Sequence, residues 1–238
     1  RYCACQRIAM AKRRWRTLVC LLASVWSLSS QTIVILGPST AEGMGVGNSD
    51  SAWAKRYCRH VHCLYPQIRV VNLAKAGYTS YHVMPDNTVF RGKRPQPDRQ
   101  RNITAAFRQD PVAIIVNFAT NDIADGYSVD EQLGNYCATV RYAAETTSLV
   151  SPQRPVAVRL TTPQPRNLNT QGRHSLMELR DSIHARFGDM TIDFWSDIAQ
   201  RDGRIRRVYN SGDGTHLNDL GHGVLFERVV AADVWIVG

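Results

Sequence analysis

Apolar residues fall into two kinds of run that alternate along the chain. Short, nearly continuous stretches of strand length occupy Thr32 to Leu36, Ile68 to Leu73, Val112 to Phe118, Pro155 to Leu160 and Met190 to Asp193. Between them lie segments with helical signals. Trp53, Tyr57, Val61 and Leu64 recur at helical spacing before Pro66, and a short helix is expected over Asn102 to Phe107 before Pro111. Longer helices are expected over Val129 to Leu149, about Gly172 to Phe187 and about Leu220 to Val234, the first opening with Asp130 and Glu131, where negative charge suits the helix dipole. Strands that alternate with helices predict an α/β domain with a parallel sheet of about five strands and right-handed crossovers, running from residue 31 to the end. The uninterrupted apolar character of Val112 to Phe118 marks a central strand covered on both faces.

Polar groups follow directly on three of these strands: Gly37-Pro38-Ser39-Thr40, Ala74-Lys75-Ala76-Gly77-Tyr78 and Ala119-Thr120-Asn121-Asp122. In open α/β sheets the carboxyl ends of strands open into a crevice, and the following helix turns free N–H groups toward it. Ser39 has that address, although Gly-Pro-Ser-Thr also serves as an ordinary turn into a helix cap. Gly77 sits where its backbone N–H can face the same crevice, or where a turn needs positive φ. Near the end of the chain, Asp213 and His216 are three residues apart, a spacing at which a carboxylate can hold an imidazole in the tautomer that takes a proton from Ser39. A competing reading joins Asp213, His216, Asp219 and His222 into a metal site, but these residues diverge as the closing helix begins. Cys58, His60, His62 and Cys63 spread over several faces of one helix and are read as helix surface, not as a zinc site.

The formal net charge of +9 raises the question of nucleic acid, and its distribution answers it. Six basic residues and no acid lie in the first thirty, leaving +3 for the rest. The second basic cluster, Arg91 to Arg101, has no interleaved aromatic residues for base stacking, so it reads as a solvated loop. Residues 1–30 have the order of an export leader: Lys12 to Arg16, then the apolar run Leu18 to Trp26, then Ser27 to Ser30. That apolar run is too short to span a bilayer. The mature domain is therefore expected to be secreted or periplasmic, without stable membrane insertion. With Cys3, Cys5 and Cys20 in the leader, Cys58, Cys63 and Cys137 remain; Cys58 and Cys63, on one helix, are badly placed to pair.

Taken together, Gly37-Pro38-Ser39, Gly77, Ala119-Thr120-Asn121-Asp122 and Asp213-Gly214-Thr215-His216 resemble the four blocks of the SGNH, or GDSL-like, hydrolase family, in the family's order. Two positions depart from its pattern: Pro38 stands for an aspartate and Ala119 for a glycine. The resemblance implies a three-layer α/β/α, flavodoxin-like fold and a serine esterase that needs no cofactor. Ser39 would be the nucleophile, His216 its base and Asp213 the orienting acid. The oxyanion would be held by the N–H groups of Ser39 and Gly77 and the Asn121 amide. Tyr78 and Asp122 are expected to contact substrate. The expected substrate is a short acyl ester, chiefly acetyl, on carbohydrate, with Tyr78, Tyr81 and Tyr127 flanking the sugar. A lipase or lysophospholipase, an acyltransferase and a carbohydrate-binding module without turnover are the alternatives.

Overall fold

The computed structural model describes residues 31–117, 120–150 and 155–234, with the side chains of 148–150 left aside. The leader read over residues 1–30 and the departure at Ala119 lie outside the described residues. Strand β1 (Thr32–Leu36) runs into a short helix α1 (Ser39–Glu42), and α2 (Trp53–Leu64) returns the chain to β2 (Arg69–Asn72). A long connection leads to α3 (Ile103–Phe107) and β3 (Pro111–Val116), followed by α4 (Asn121–Ala124) and α5 (Val129–Val150). The chain continues through β4 (Ala157–Thr161), α6 (Thr170–Phe187), the two-residue β5 (Thr191–Ile192) and α7 (Asp219–Ala231). The five strands form one parallel sheet in the order β2-β1-β3-β4-β5, the flavodoxin-like arrangement expected from the sequence.

The alternation of side chains along β1 and β3 divides the core into two halves. Ile33, Ile35, Ala113 and Ile115 face a cluster with Trp53, Tyr57 and Val61 of α2 and Leu225 and Val229 of α7. Val34, Leu36, Ile114 and Val116 face the opposite cluster, with Ile103 of α3, Tyr136 of α5 and Leu176, Leu179 and Ile183 of α6. Both strands are therefore buried throughout, which is why their sequences are apolar without a break. Each fully buried Ile or Leu contributes roughly 1.5–3 kcal/mol relative to an exposed one. β2 looks equally apolar in sequence, yet Arg69 and Asn72 are exposed and Val70 and Val71 half-buried, because it is an edge strand.

Asn side chains cap three helices: Asn102 accepts from Ala105 N–H, Asn169 from Gly172 N–H, and Asn218 from Leu220 and Gly221 N–H. The last two move the starts of α6 and α7 to Thr170 and Asp219, slightly ahead of the apolar pattern. α7 also stops at Ala231, short of the expected Val234.

The chain leaves β1 toward β2 on one side and later returns to β3 on the other, so the crevice between β1 and β3 is the topological switch point. Ser39 follows β1 and Asn121 follows β3, which brings both to the mouth of that crevice.

His222, in the first turn of α7, ties the layer on one face of the sheet together. Its Nδ1 accepts from Trp53 N–H at 3.2 Å and its Nε2 meets the Met44 carbonyl at 3.1 Å, which fixes a neutral ring protonated at Nε2. Burial pushes its pKa down to about 4. The unfolded chain then takes up this proton first on acidification. The contribution of His222 to stability is complete above pH 6.5 and is lost as the pH falls from there to about 4, a loss on the order of 3 kcal/mol. In His222→Gln the amide can make both bonds without titrating. Thermal melts at pH 7, 6, 5 and 4 should therefore show wild type losing melting temperature relative to the variant steadily toward pH 4, and a difference that does not change with pH would refute this role.

Candidate active site

Ser39 is the first residue of α1, and Pro38 caps that helix without a side-chain hydrogen bond, its carbonyl accepting from Ala41 and Glu42 N–H. The backbone N–H groups of a first helical turn have no partner within the helix. Ser39 is 9% exposed, so its hydroxyl lies at the floor of the crevice and not on the rim. Three contacts fix α1 to the loop that carries Gly77. Lys75 N–H donates to the Gly37 carbonyl at 3.0 Å, Ala76 N–H to the Glu42 carboxylate at 2.7 Å, and the Asn72 amide to the Ala41 carbonyl at 2.7 Å. Gly77 itself has φ +81°, and a Cβ built there meets nothing within 4 Å. The position therefore selects glycine for its backbone conformation and not for space.

His216 stands on an irregular loop, not on a helical turn. Asp213 Oδ1 accepts from the N–H groups of Thr215 and His216, both at 2.8 Å, while its Oδ2 meets His216 Nδ1 at 2.6 Å. The three-residue spacing thus brings carboxylate and imidazole together, but through an Asx turn. Partial burial works to raise the Asp213 pKa. The His216 N–H and ring, the Thr215 N–H and the Ser211 hydroxyl outweigh it and hold the carboxyl well below the usual carboxylate range. His216 Nε2 lies 3.0 Å from Ser39 Oγ, completing a continuous line from Asp213 to the serine hydroxyl.

The loop is held from both sides. Leu217 is fully buried behind it. Gly45, at φ +94°, packs so closely that a Cβ there would come within 2.6 Å of His216 Cβ and 2.4 Å of the Leu217 carbonyl. Gln164, in the loop after β4, joins nucleophile and base: it accepts from Thr40 Oγ1 at 2.9 Å and donates to the Thr215 carbonyl at 2.7 Å. No spacing motif marks Gln164 in the sequence. The available signal was that its loop, like the others, follows a buried strand.

Asn121 opens α4 on the other side of the crevice. Its Nδ2 donates to the Tyr78 carbonyl at 2.8 Å and its Oδ1 accepts from Arg166 Nη1 at 3.0 Å. The second Nδ2 hydrogen makes no hydrogen bond among the described residues.

Tyr78 and Asp122, the residues expected to contact substrate, are both buried. Tyr78 is 5% exposed, its ring stacks on His82 with centroids 4.5 Å apart, and its hydroxyl donates to Asp98. Asp122 has no exposed surface, and its carboxylate accepts from the N–H and hydroxyl of Ser80. Burial raises the Asp122 pKa to about 7. Both residues brace the Gly77 loop from behind. Tyr81 is buried with its hydroxyl on Glu131, and Arg94, 4.2 Å from the ring centroid, covers one face of the half-buried Tyr127.

Of the four residues in the competing metal reading, Asp213 and His216 meet each other, while Asp219 and His222 are engaged elsewhere. Asp219 accepts from Gly47 and Asn48 N–H, and both His222 nitrogens are engaged as described. Among the described residues no cluster of three or more His, Cys, Asp or Glu side chains could hold a metal ion. Cys58, Cys63 and Cys137 are free thiols. Among the described residues no helix is long and apolar enough to cross a membrane.

Residues 35–224 match the sequence family described as GDSL-like Lipase/Acylhydrolase. No curated protein matches the chain. Among solved structures the fold is similar to a G-D-S-L family protein from Desulfitobacterium hafniense DCB-2, at 15% identity and TM-score 0.61, covering 85% of this chain and 99% of that one. It is also similar to the psychrotrophic esterase EstA from Pseudoalteromonas sp., in a structure inhibited by monoethylphosphonate, at 17% identity and TM-score 0.58, covering 85% and 96%. A two-domain esterase active on acetylated mannans matches at 15% identity and TM-score 0.55, over 87% of this chain and 50% of that one. At these identities the likeness is one of fold.

Proposed function

This chain belongs to the GDSL-like lipase/acylhydrolase family, and from that premise we propose that it is a serine esterase that removes short acyl groups, acetyl above all, from a polar alcohol such as a carbohydrate. The observation that carries the reading is the line Asp213 Oδ2, His216, Ser39 Oγ, with separations of 2.6 and 3.0 Å.

In the mechanism that follows, His216 Nε2 takes the Ser39 proton as Oγ attacks the ester carbonyl. Asp213 keeps the other ring proton on Nδ1 and stabilises the imidazolium. The tetrahedral oxyanion is met by Ser39 N–H, Gly77 N–H and the free Nδ2 hydrogen of Asn121. Collapse expels the alcohol, which takes its proton from His216. Water then repeats the sequence on the acyl-enzyme and releases the acid. No step requires a metal or an organic cofactor.

Two features favour a small acyl group on a polar alcohol. The rim around Ser39 is polar and charged, with Asp213 and Gly77 exposed and Arg166 half-buried. The long connection between β2 and α3 is pinned to the body of the domain by Arg94 on Glu131 and by Arg101 on the Leu73 and Ala74 carbonyls. The fold-level likeness to an esterase active on acetylated mannans agrees with this choice.

The test is hydrolysis of p-nitrophenyl acetate, butyrate and octanoate, followed by acetate release from acetylated mannan and xylan. kcat/KM is expected to fall at least tenfold from acetate to octanoate. A preference for octanoate would replace this reading with a lipase-type one, and a folded protein inert to all three esters and to a fluorophosphonate would replace it with a binding module.

A further inference from the structure

Arg166 lies in the loop that follows β4, outside every motif discussed for the sequence, and it touches the oxyanion site through one residue only. Its Nη1 donates to Asn121 Oδ1 at 3.0 Å, with a longer 3.5 Å approach to Thr120 Oγ1. The guanidinium is half-buried, and burial lowers its pKa. Among the described residues no carboxylate pairs with it directly; Asp125 and Asp213 act on it only through space. A partly desolvated arginine spends its best-defined hydrogen bond on a neutral amide oxygen.

That choice has a consequence for Asn121. A primary amide can turn by 180° with almost no change of shape, exchanging two donors for an acceptor. In the flipped state the NH2 group would face the Arg166 donors, and Oδ1 would face the Tyr78 carbonyl. Both contacts would then be repulsive. Arg166 and the Tyr78 carbonyl together permit only the orientation in which Nδ2 donates to Tyr78 and keeps its second hydrogen for another acceptor. Tyr78 is in turn fixed by Asp98 and His82, so its carbonyl is a stationary reference. The positive charge one hydrogen bond away also polarises the amide, strengthening its N–H as a donor when negative charge develops on the substrate oxygen.

We propose that Arg166 is a positioning residue for the oxyanion hole, locking and polarising the Asn121 side chain through Oδ1 so that its free N–H meets the transition state. The proposal rests on the esterase reading, and Arg166 itself contacts no reacting atom. Its effect is therefore felt in kcat with KM nearly unchanged, and it exists only while Asn121 is present.

The experiment is a cycle of wild type, Arg166→Met, Asn121→Ala and the double variant, read as kcat and KM on p-nitrophenyl acetate and as the rate of Ser39 labelling by a fluorophosphonate. Arg166→Lys and Arg166→Ala with added guanidinium are run alongside. Loss of an oxyanion donor costs about a hundredfold to a thousandfold. Arg166→Met is expected to lose about ten- to a hundredfold in kcat, with KM within threefold. The double variant should be within threefold of Asn121→Ala alone. Guanidinium should restore part of the activity of Arg166→Ala, a recovery that a misfolded variant could not show, and Arg166→Lys should fall between wild type and Met.

Multiplicative losses in the double variant would overturn the proposal. So would a rise in KM confined to esters that carry a carboxylate, which would make Arg166 a contact for substrate anions. A wild-type protein that neither hydrolyses esters nor labels would remove the esterase reading and this proposal together. A wild type that labels as fast as a folded Arg166→Met would remove this proposal alone.

Discussion

Ser39→Ala should lower kcat/KM for p-nitrophenyl acetate by at least about ten-thousandfold and abolish fluorophosphonate labelling. The magnitude follows from how the site is built. His216 Nε2 has Ser39 Oγ 3.0 Å away, and a base without its nucleophile can at best activate a water that the crevice was not shaped to hold. What survives is the catalysis due to the oxyanion donors and to binding. The substitution removes one buried oxygen and leaves α1 intact, because the Ser39 carbonyl still accepts from Gly43 and Met44 N–H. A melting temperature close to that of wild type is therefore expected beside the lost turnover. Nucleophile and base act as one unit, so His216→Ala should cost nearly as much and the double variant no more than Ser39→Ala alone. A Ser39→Ala protein within tenfold of wild type would mean that the hydroxyl is not the attacking group.

The sequence was informative where one residue type serves one physical purpose. β1 and β3 are buried on both faces, so their runs could be nothing but central strands, and the polar residues behind them had to lie at the crevice. Burial was legible there because it is a property of the run itself. β2 shows the limit: its apolar residues read the same, but edge or centre is decided by pairing order, which no local pattern contains. The meeting of Asp213 and His216 was legible as a distance along the chain, while its cause, two backbone N–H groups gathered on Oδ1, depends on the path of a loop.

Side-chain direction was the least accessible property. Asn121 and Asp122 are neighbours in the sequence, yet successive residues at a helix start point about 100° apart. One reaches the crevice and the other is sealed beneath Ser80. Tyr78 contributes its carbonyl where its ring was expected. Gln164 and Arg166 could be seen only as polar residues after a fourth strand, since what gives them roles is contact with Thr40, Thr215 and Asn121 across 45 to 124 residues of chain.

Asp213→Asn should be more damaging than the exposure of Asp213 suggests. The carboxylate is 49% exposed, so loss of charge alone would be softened by water. The backbone of its own turn removes that escape. Thr215 and His216 N–H both donate to Oδ1, so an asparagine there must keep its carbonyl oxygen on the turn and put its NH2 where Oδ2 stood, against His216 Nδ1. Nδ1 then has to accept and the ring proton moves to Nε2, where it faces Ser39 Oγ and cannot take a proton from it. The flipped amide escapes this only by setting NH2 against two backbone donors. The wrong tautomer is enforced by the loop, and kcat is expected to fall by about a thousandfold to ten-thousandfold with little change in KM or in melting temperature. Steady-state kinetics on p-nitrophenyl acetate beside a thermal melt will decide it. A loss under tenfold would show that Asp213 does not set the histidine tautomer, and a loss accompanied by a large drop in melting temperature would assign the carboxylate to holding the loop instead of the ring.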